Sequence, residues 1–143
     1  MKPVPIHTAA INGIPVRFFA SPFPEEPDFP WVAYADLTLA ARVERGFRQH
    51  YKAALKRDWK DGWKVVDTAD GELLLIAHFA AQGLIGGAIE IGSAPASTKA
   101  QYARAGADAL KSITDGLEGT ALLDWIGRAF RRWEGARQTR EIS

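Results

Sequence analysis

The stretch that decides the fold is DLTLAARVERGFRQHYKAALKRDWKDGWK, residues 36–64. Asp36 has a side chain that commonly caps helix N-termini, so a short helix, LTLAARVE, is expected to begin directly after it. Arg45-Gly46 predicts the end of that helix, because glycine is the usual residue for the left-handed turn that follows a helix. A second helix is expected over residues 47–59. Two helices joined by a tight turn form a helix-turn-helix-like unit.

The second helix of this unit has an apolar face and a basic face. Phe47, Tyr51 and Leu55 recur at helical spacing, with Ala54 beside them, so this stripe is expected to face the core. On a neighbouring face the basic residues also recur every four positions, and such like-charge pairs repel by about 0.2–0.5 kcal/mol each in an isolated helix. A sequence selected for stability alone would more often place glutamate among them. The basic face therefore favours a binding function.

The predicted binding residues are those on the basic face and in the turn that precedes it. The amide of Gln49 is the side chain best suited to pair with a base. A second basic patch is expected near the end of the chain. The number of arginines there is larger than the favourable interaction of cations with the helix dipole would explain. The first set is Arg42, Arg45, Arg48, Gln49, Lys52, Lys56 and Arg57, and the second is Arg128, Arg131 and Arg132.

The formal net charge of +1 conceals an uneven distribution. Residues 42–64 hold eight basic and three acidic residues, whereas residues 65–127 hold three basic and eight acidic ones. A basic segment beside an acidic body indicates an anionic partner. The alternative is a solvated basic face that only keeps the protein soluble.

Turn signals on both sides of this unit predict two β-hairpins. Asn12-Gly13 and Asp70-Gly71 each lie between apolar runs, and both dipeptides suit tight turns that need positive φ. Residues 21–30, SPFPEEPDFP, contain four prolines and are expected to form an extended loop. Residues 31–34, WVAY, then predict a short strand.

Three further helices are predicted after the second hairpin. The first covers residues 77–85 and is expected to stop at Gly86-Gly87. The next covers residues 99–113, after a capping box between Ser97 or Thr98 and Gln101. The last covers residues 120–133, and its apolar face is an equally good candidate for the core or for a homodimer interface.

These elements predict an α+β fold with a hairpin-containing domain at residues 1–92 and a helical extension, packed on the same core, at residues 93–143. His78 sits in an apolar run and is expected to be a hydrogen-bonded core histidine rather than a site residue. Of the five tryptophans, Trp31, Trp63 and Trp125 are expected inside, and Trp59 and Trp133 nearer the surface.

Composition narrows the functional classes. There are no cysteines, which excludes disulfides, thiolate zinc sites and cysteine nucleophiles. Neither a phosphate-binding glycine loop nor a nucleophile elbow is present, and the three histidines are far apart, so we expect no cofactor, no metal and no enzymatic activity. No apolar run is long enough for a signal peptide or membrane span, which predicts a cytoplasmic protein without a membrane partner.

The order of motifs between residues 14 and 86 points to a family. It comprises a strand with VRFF (16–19), the step FPWVAYADL (29–37), a basic helical segment, the Asp70-Gly71 hairpin, and LIA leading into FAAQGLI (79–85). This order resembles the N-terminal domain of the Bro family of phage and baculovirus proteins, which includes many phage antirepressors. Tyr34 departs from the family, which often has a lysine there. The resemblance implies DNA binding by a phage or prophage regulator, with the basic helix on the nucleic-acid face.

Two functions are therefore expected in order. The first is a DNA-binding regulatory protein, of antirepressor or transcription-regulator type, whose partner is duplex DNA. The second is a phage-encoded inhibitor, for example of anti-CRISPR type, that docks an acidic host protein of a defence or regulatory complex through the same basic surface or through the arginine-rich end of the chain.

Overall fold

The computed structural model describes residues 1–142, with side chains described for residues 1–134. Within these residues five antiparallel strands form one sheet, and five helices accompany it, so the predicted α+β class is confirmed. The strands are β1 (His7–Ile11), β2 (Ile14–Phe19), β3 (Trp31–Ala33), β4 (Trp63–Thr68) and β5 (Gly71–Ile76). The helices are α1 (Tyr34–Ala40), α2 (Arg45–Asp58), α3 (His78–Glu90), α4 (Ser97–Ile113) and α5 (Gly119–Ile142).

Both predicted hairpins are present: the first turns at Asn12-Gly13, whereas the loop of the second is Ala69-Asp70, with Gly71 as the first residue of β5. Asn12 and Gly13 have φ of 51° and 80°, the left-handed conformation that a tight two-residue turn requires. At the second turn Gly71 has φ of 102°, and the Thr68 hydroxyl accepts a hydrogen bond from the Asp70 amide. The sheet order is β1-β2-β3-β5-β4, so the short strand β3 joins the two hairpins into one sheet.

The sheet has two covered faces. The first face carries Val16, Phe18, Val32 and Ile76, which lie in one core cluster with residues of α1, α2, α3 and α4. The second face carries Phe19, Trp31 and Leu75, which lie in a second cluster with Trp133 of α5. Phe23, from the proline-rich loop, packs against this second cluster. Thus α2 and α5 belong to opposite sides of the sheet.

The predicted start of α1 is wrong by three residues. The helix begins at Tyr34, directly after β3, and its N-cap position is Ala33. Asp36 lies in the first turn and instead accepts hydrogen bonds from the Arg17 side chain at 2.8 and 2.9 Å and from the Arg17 backbone amide at 3.0 Å. This carboxylate raises the pKa of Arg17. The aspartate therefore ties α1 to β2 rather than capping the helix.

The predicted position of the turn between α1 and α2 is also wrong. The break covers residues 41–44, and Gly46 lies inside the first turn of α2. Arg42, not glycine, adopts the left-handed conformation, with φ of 57°. This conformation costs roughly 1–2 kcal/mol for a residue with a side chain. Its amide donates to the Leu39 carbonyl, which closes the end of α1.

Three later helices differ from their predicted bounds. α3 continues through Gly86-Gly87 to Glu90, so glycine does not stop it. α4 begins at Ser97 without the predicted capping box, because its N-cap position is Ala96 and no side chain caps it. Gln101 instead bonds Asn12 of the first hairpin through both groups of its amide. α5 extends beyond its predicted end to Ile142.

Candidate nucleic-acid interface

The apolar stripe of α2 faces the core, as predicted. Leu55 is 3% exposed, and the rings of Phe47 and Tyr51 stack with centroids 6.1 Å apart and pack against the first core cluster. The Tyr51 hydroxyl donates to the carbonyl of Ala80 in α3 at 2.6 Å. The inner side of α2 is thus fixed to α3 by rings and by one hydrogen bond.

Two glycines of α3 make room for these rings. A Cβ at Gly83 would lie 2.8 Å from the Tyr51 hydroxyl oxygen, and a Cβ at Gly87 would lie 3.3 Å from the Phe47 ring. Gly86, on a different side of the same helix, would meet no atom within 4 Å. Close packing of α2 therefore explains Gly83 and Gly87, but not Gly86, the other glycine of the predicted helix stop.

Tyr34 joins α2 to α1. Its hydroxyl donates to the Arg48 carbonyl at 2.6 Å. Burial raises the pKa of Tyr34 to about 12, with a smaller contribution from Tyr51, so the hydroxyl keeps its proton at neutral pH. The bond holds the first turn of α2 against the short helix before it. The orientation of the outer face is therefore set from two sides.

The outer face of α2 is exposed and basic. All seven predicted binding residues in and before α2 are exposed. Of these seven residues, only Arg57 has an ion-pair partner among the described residues. Its Nε lies 3.0 Å from Oδ1 of the neighbouring Asp58. Lys56 Nζ lies 4.8 Å from the centre of the Trp63 ring, a cation–π contact that leaves the charge uncompensated. Apart from Arg57, the cations of this face thus have no carboxylate partner among the described residues.

The dimensions of α2 suit a nucleic-acid groove. Its 14 residues span about 21 Å at 1.5 Å per residue. Arg48, Lys52 and Lys56 recur every four residues, so their charges are spaced about 6 Å apart along the helix. The major groove of B-DNA, about 12 Å wide, admits an α-helix. Chemically, this face offers point charges and forked guanidinium donors for phosphates, and one amide for a base edge.

The second predicted patch is divided by the structure. Arg128 and Arg131 are exposed on α5. The Arg132 side chain is only 14% exposed and lies 3.3 Å from Glu26 and 3.4 Å from Asp28. Arg132 therefore has carboxylate partners within the fold, and α5 belongs to the opposite side of the sheet from α2.

Asp28 is a structural residue that sequence reasoning missed. Its side chain is fully buried and accepts hydrogen bonds from the indole N–H groups of Trp31 at 2.7 Å and Trp133 at 2.9 Å, as well as from the Phe29 amide at 2.9 Å. Arg132 supplies the compensating charge. We call these four residues, Asp28, Trp31, Arg132 and Trp133, the Asp28 clamp. It joins α5 to the proline-rich loop.

The tryptophan and histidine predictions had mixed outcomes. Trp31 is buried as predicted, whereas Trp133 is only 4% exposed, so its predicted surface position is wrong. The remaining three tryptophans are half-buried. His78 Nδ1 lies 2.8 Å from the Tyr102 hydroxyl, which confirms a hydrogen-bonded histidine. Burial lowers the pKa of His78 to about 4, although Asp28 opposes the shift.

Residues 1–142 contain no helix long and apolar enough to cross a membrane, and no group of three ligand side chains suited to a metal ion was found among the described residues. Comparison of the chain with protein-family models, with curated proteins and with solved structures gave no match. The resemblance to the Bro N-terminal domain therefore stays a prediction from its motifs.

Proposed function

We propose that this protein binds duplex DNA through the outer face of α2, as a regulatory protein of phage or prophage type. The observation that carries the proposal is the row of exposed cations at Arg45, Arg48, Lys52 and Lys56, for which the described residues provide no carboxylate partner. A protein that needed these charges only for solubility would lose nothing by pairing some of them with glutamate. An array left open is suited to an external polyanion.

In this proposal the basic residues provide affinity and register. Contacts to phosphates position a protein on the duplex but carry little sequence information. Gln49, exposed between Arg48 and the following histidine, is the candidate base reader, because a side-chain amide pairs with adenine through two hydrogen bonds. Its replacement by alanine is expected to reduce the difference in affinity between sequences without changing the salt dependence.

Titration of the full chain with duplex DNA at several salt concentrations tests the proposal. Each phosphate that the protein neutralises contributes about −0.9 to the slope of log K against log salt. With four to six contacts, a slope of roughly −4 to −5 is expected. A flat plot, or no binding at low salt, would overturn the proposal.

Capture from a host lysate separates DNA from the other anionic partner. DNA binding predicts that nucleic acid is retained and that nuclease treatment abolishes the captured material. Retention of one acidic protein after nuclease treatment, with loss of capture in the Arg48→Ala/Lys52→Ala variant, would instead support the inhibitor function. The latter result would contradict the DNA proposal while keeping α2 as the binding surface.

A further inference from the structure

The outward face of α5 exposes two apolar side chains that the fold covers only in part, since Phe130 contacts Phe29 edge-on with ring centroids 5.0 Å apart. Leu123 is 69% exposed and Phe130 is 57% exposed, although both are large hydrophobic residues. They are seven residues apart and so lie on the same side of the helix. Gly127 lies midway between them, where it places no side chain on the surface. Ala129 and Trp133, which are buried, mark the core-facing side, about a quarter turn around the helix from this line.

Two charged residues flank this apolar line. Asp124 and Arg131 are exposed and lie on the other side of Gly127 around the helix. They are also seven residues apart, about 10 Å along the axis, which is too far for an ion pair with each other. Within the part of the chain whose side chains are described, neither has an ion-pair partner. The Arg131 guanidinium folds over Gly127, with Nη1 3.3 Å from where a Cβ would lie.

We propose that a second copy of this chain docks on this face, with the two α5 helices antiparallel and crossing at Gly127. In such a pair a residue before Gly127 is level with the residue equally far after it in the partner. Leu123, four positions before Gly127, is level with the partner's Arg131, and the residue nearest to it on its own side of the seam is the partner's Phe130, one residue or about 1.5 Å away along the axis. Asp124, three positions before Gly127, is level with the partner's Phe130, and the nearest residue on its own side is the partner's Arg131, again about 1.5 Å out of level.

The symmetry of this arrangement makes both contacts form twice. A two-fold axis through the crossing point is perpendicular to both helices, and it keeps residues on the same side of the seam. The two Leu123–Phe130 contacts therefore lie on one side, and the two Asp124–Arg131 ion pairs on the other. Gly127, having no Cβ, allows the helix backbones to approach closely at the centre. Arg131 swings away from its own Gly127 to reach the partner.

The pattern is specific for a second copy rather than for another occupant. The face is complementary to itself in both charge and apolar surface, which is the requirement of an isologous interface. It also lies on α5, across the sheet from α2, so the dimer leaves the basic face free. The proposal does not depend on what α2 binds.

Sedimentation of the full chain over a range of concentrations tests dimer formation. The contact is one helix pair, smaller than a standard protein interface, so a reversible dimer with Kd on the order of 10⁻⁵ M is expected. A chain that remains monomeric at roughly tenfold higher concentration would overturn the proposal.

Charge reversal tests the geometry. Asp124→Arg and Arg131→Asp are each expected to raise the dimer Kd at least about tenfold, because each places two like charges across the seam. The double variant Asp124→Arg/Arg131→Asp is expected to recover most of the affinity, because opposite charges meet again with their positions exchanged. Two residues too far apart to pair within one helix would not rescue each other through a purely structural role.

Glu90→Arg is the matched control for Asp124→Arg, since it makes the same change in net charge on α3, away from the seam. It is expected to leave the dimer Kd unchanged. A dimer that is insensitive to both single reversals, or a double variant no better than its parents, would contradict the antiparallel pairing. Circular dichroism of each variant verifies that these exposed substitutions leave the fold intact.

Discussion

The helices α2 and α5 both carry exposed arginines and belong to opposite sides of the sheet, yet they use their polar groups in opposite ways. α2 is held by rings on glycines and by tyrosine hydroxyls that bond main-chain carbonyls. None of its exposed lysine or arginine side chains contributes to that attachment, apart from the Lys56 contact with Trp63. α5 is held by Arg132 and Trp133 through a buried carboxylate.

The difference shows that residue type alone does not assign a role to arginine. Arg48 and Arg132 have similar local settings, since both lie in basic helices and both precede an aromatic or polar residue. Only Arg132 contacts acidic side chains, and these lie more than 100 positions away in the chain. Its charge balances Asp28, whereas the charge of Arg48 is left for solvent or a partner. Uncompensated basic side chains and a buried, compensated arginine thus lie on two different sides of one sheet.

The largest predicted effect is on the α5 side. Asp28→Ala removes a buried acceptor of two indole N–H groups and one amide, and it leaves Arg132 poorly compensated. We expect the free energy of unfolding, measured by chemical denaturation, to fall by about 3–5 kcal/mol. Glu25→Ala, an exposed carboxylate in the same loop, is expected to change it by less than about 0.5 kcal/mol. Equal effects of the two substitutions would refute the Asp28 clamp.

The next largest effect is a dependence of the free energy of unfolding on pH, which arises at His78. It also belongs to the α5 side, because the His78 ring contacts Phe29, the residue after Asp28 of the clamp. The folded-state pKa of about 4 is below the usual 6.5, so the unfolded chain binds the proton more readily. The contribution of this histidine to the free energy of unfolding is therefore fully present above about pH 6.5. It is lost as the pH falls toward 4, which lowers the free energy of unfolding by about 2–3 kcal/mol.

Denaturation of the native chain and of His78→Gln at a series of pH values measures this term. The substitution is expected to remove the loss between pH 6.5 and 4 while leaving the contributions of other groups. An unchanged pH profile in His78→Gln would show that the histidine is not its source.

A smaller effect is expected on the α2 side, and it changes sign between two glycines of one helix. Gly83→Ala forces the Tyr51 hydroxyl from Ala80 and is expected to cost about 1–2 kcal/mol. Gly86→Ala meets no atom and is expected to stabilise the protein by up to about 1 kcal/mol through helix propensity. Thermal denaturation of the two variants gives the comparison directly. Stabilisation by both would mean that α2 does not pack on Gly83.

The sequence predicted what local chemistry determines. Both hairpins follow from Asn-Gly and Asp-Gly, and the inward stripe of α2 follows from the spacing of Phe47, Tyr51 and Leu55. The exposure of the basic residues follows from the same periodicity. Each of these features depends on neighbours within a few positions in the chain.

What the sequence did not predict depends on distant partners. The passage of α3 through Gly86-Gly87 requires the packing that its neighbours provide, which outweighs the low helix propensity of glycine. Asp36 is a residue type that commonly caps helices, but in the structure its carboxylate accepts hydrogen bonds from Arg17 of β2. Asp28 lies in a proline-rich loop that gives no sign of burial, and its partner Trp133 follows 105 positions later.

The salt dependence of DNA binding by two matched double variants tests the central claim, that the outer face of α2 is the binding surface. Arg48→Ala/Lys52→Ala removes two exposed cations from α2, and Lys99→Ala/Arg104→Ala removes two exposed cations from α4. We expect the first variant to reduce the magnitude of the log K against log salt slope by about 2 and the second to leave it unchanged. Equal slopes in both variants, or a loss confined to the α4 variant, would contradict the account.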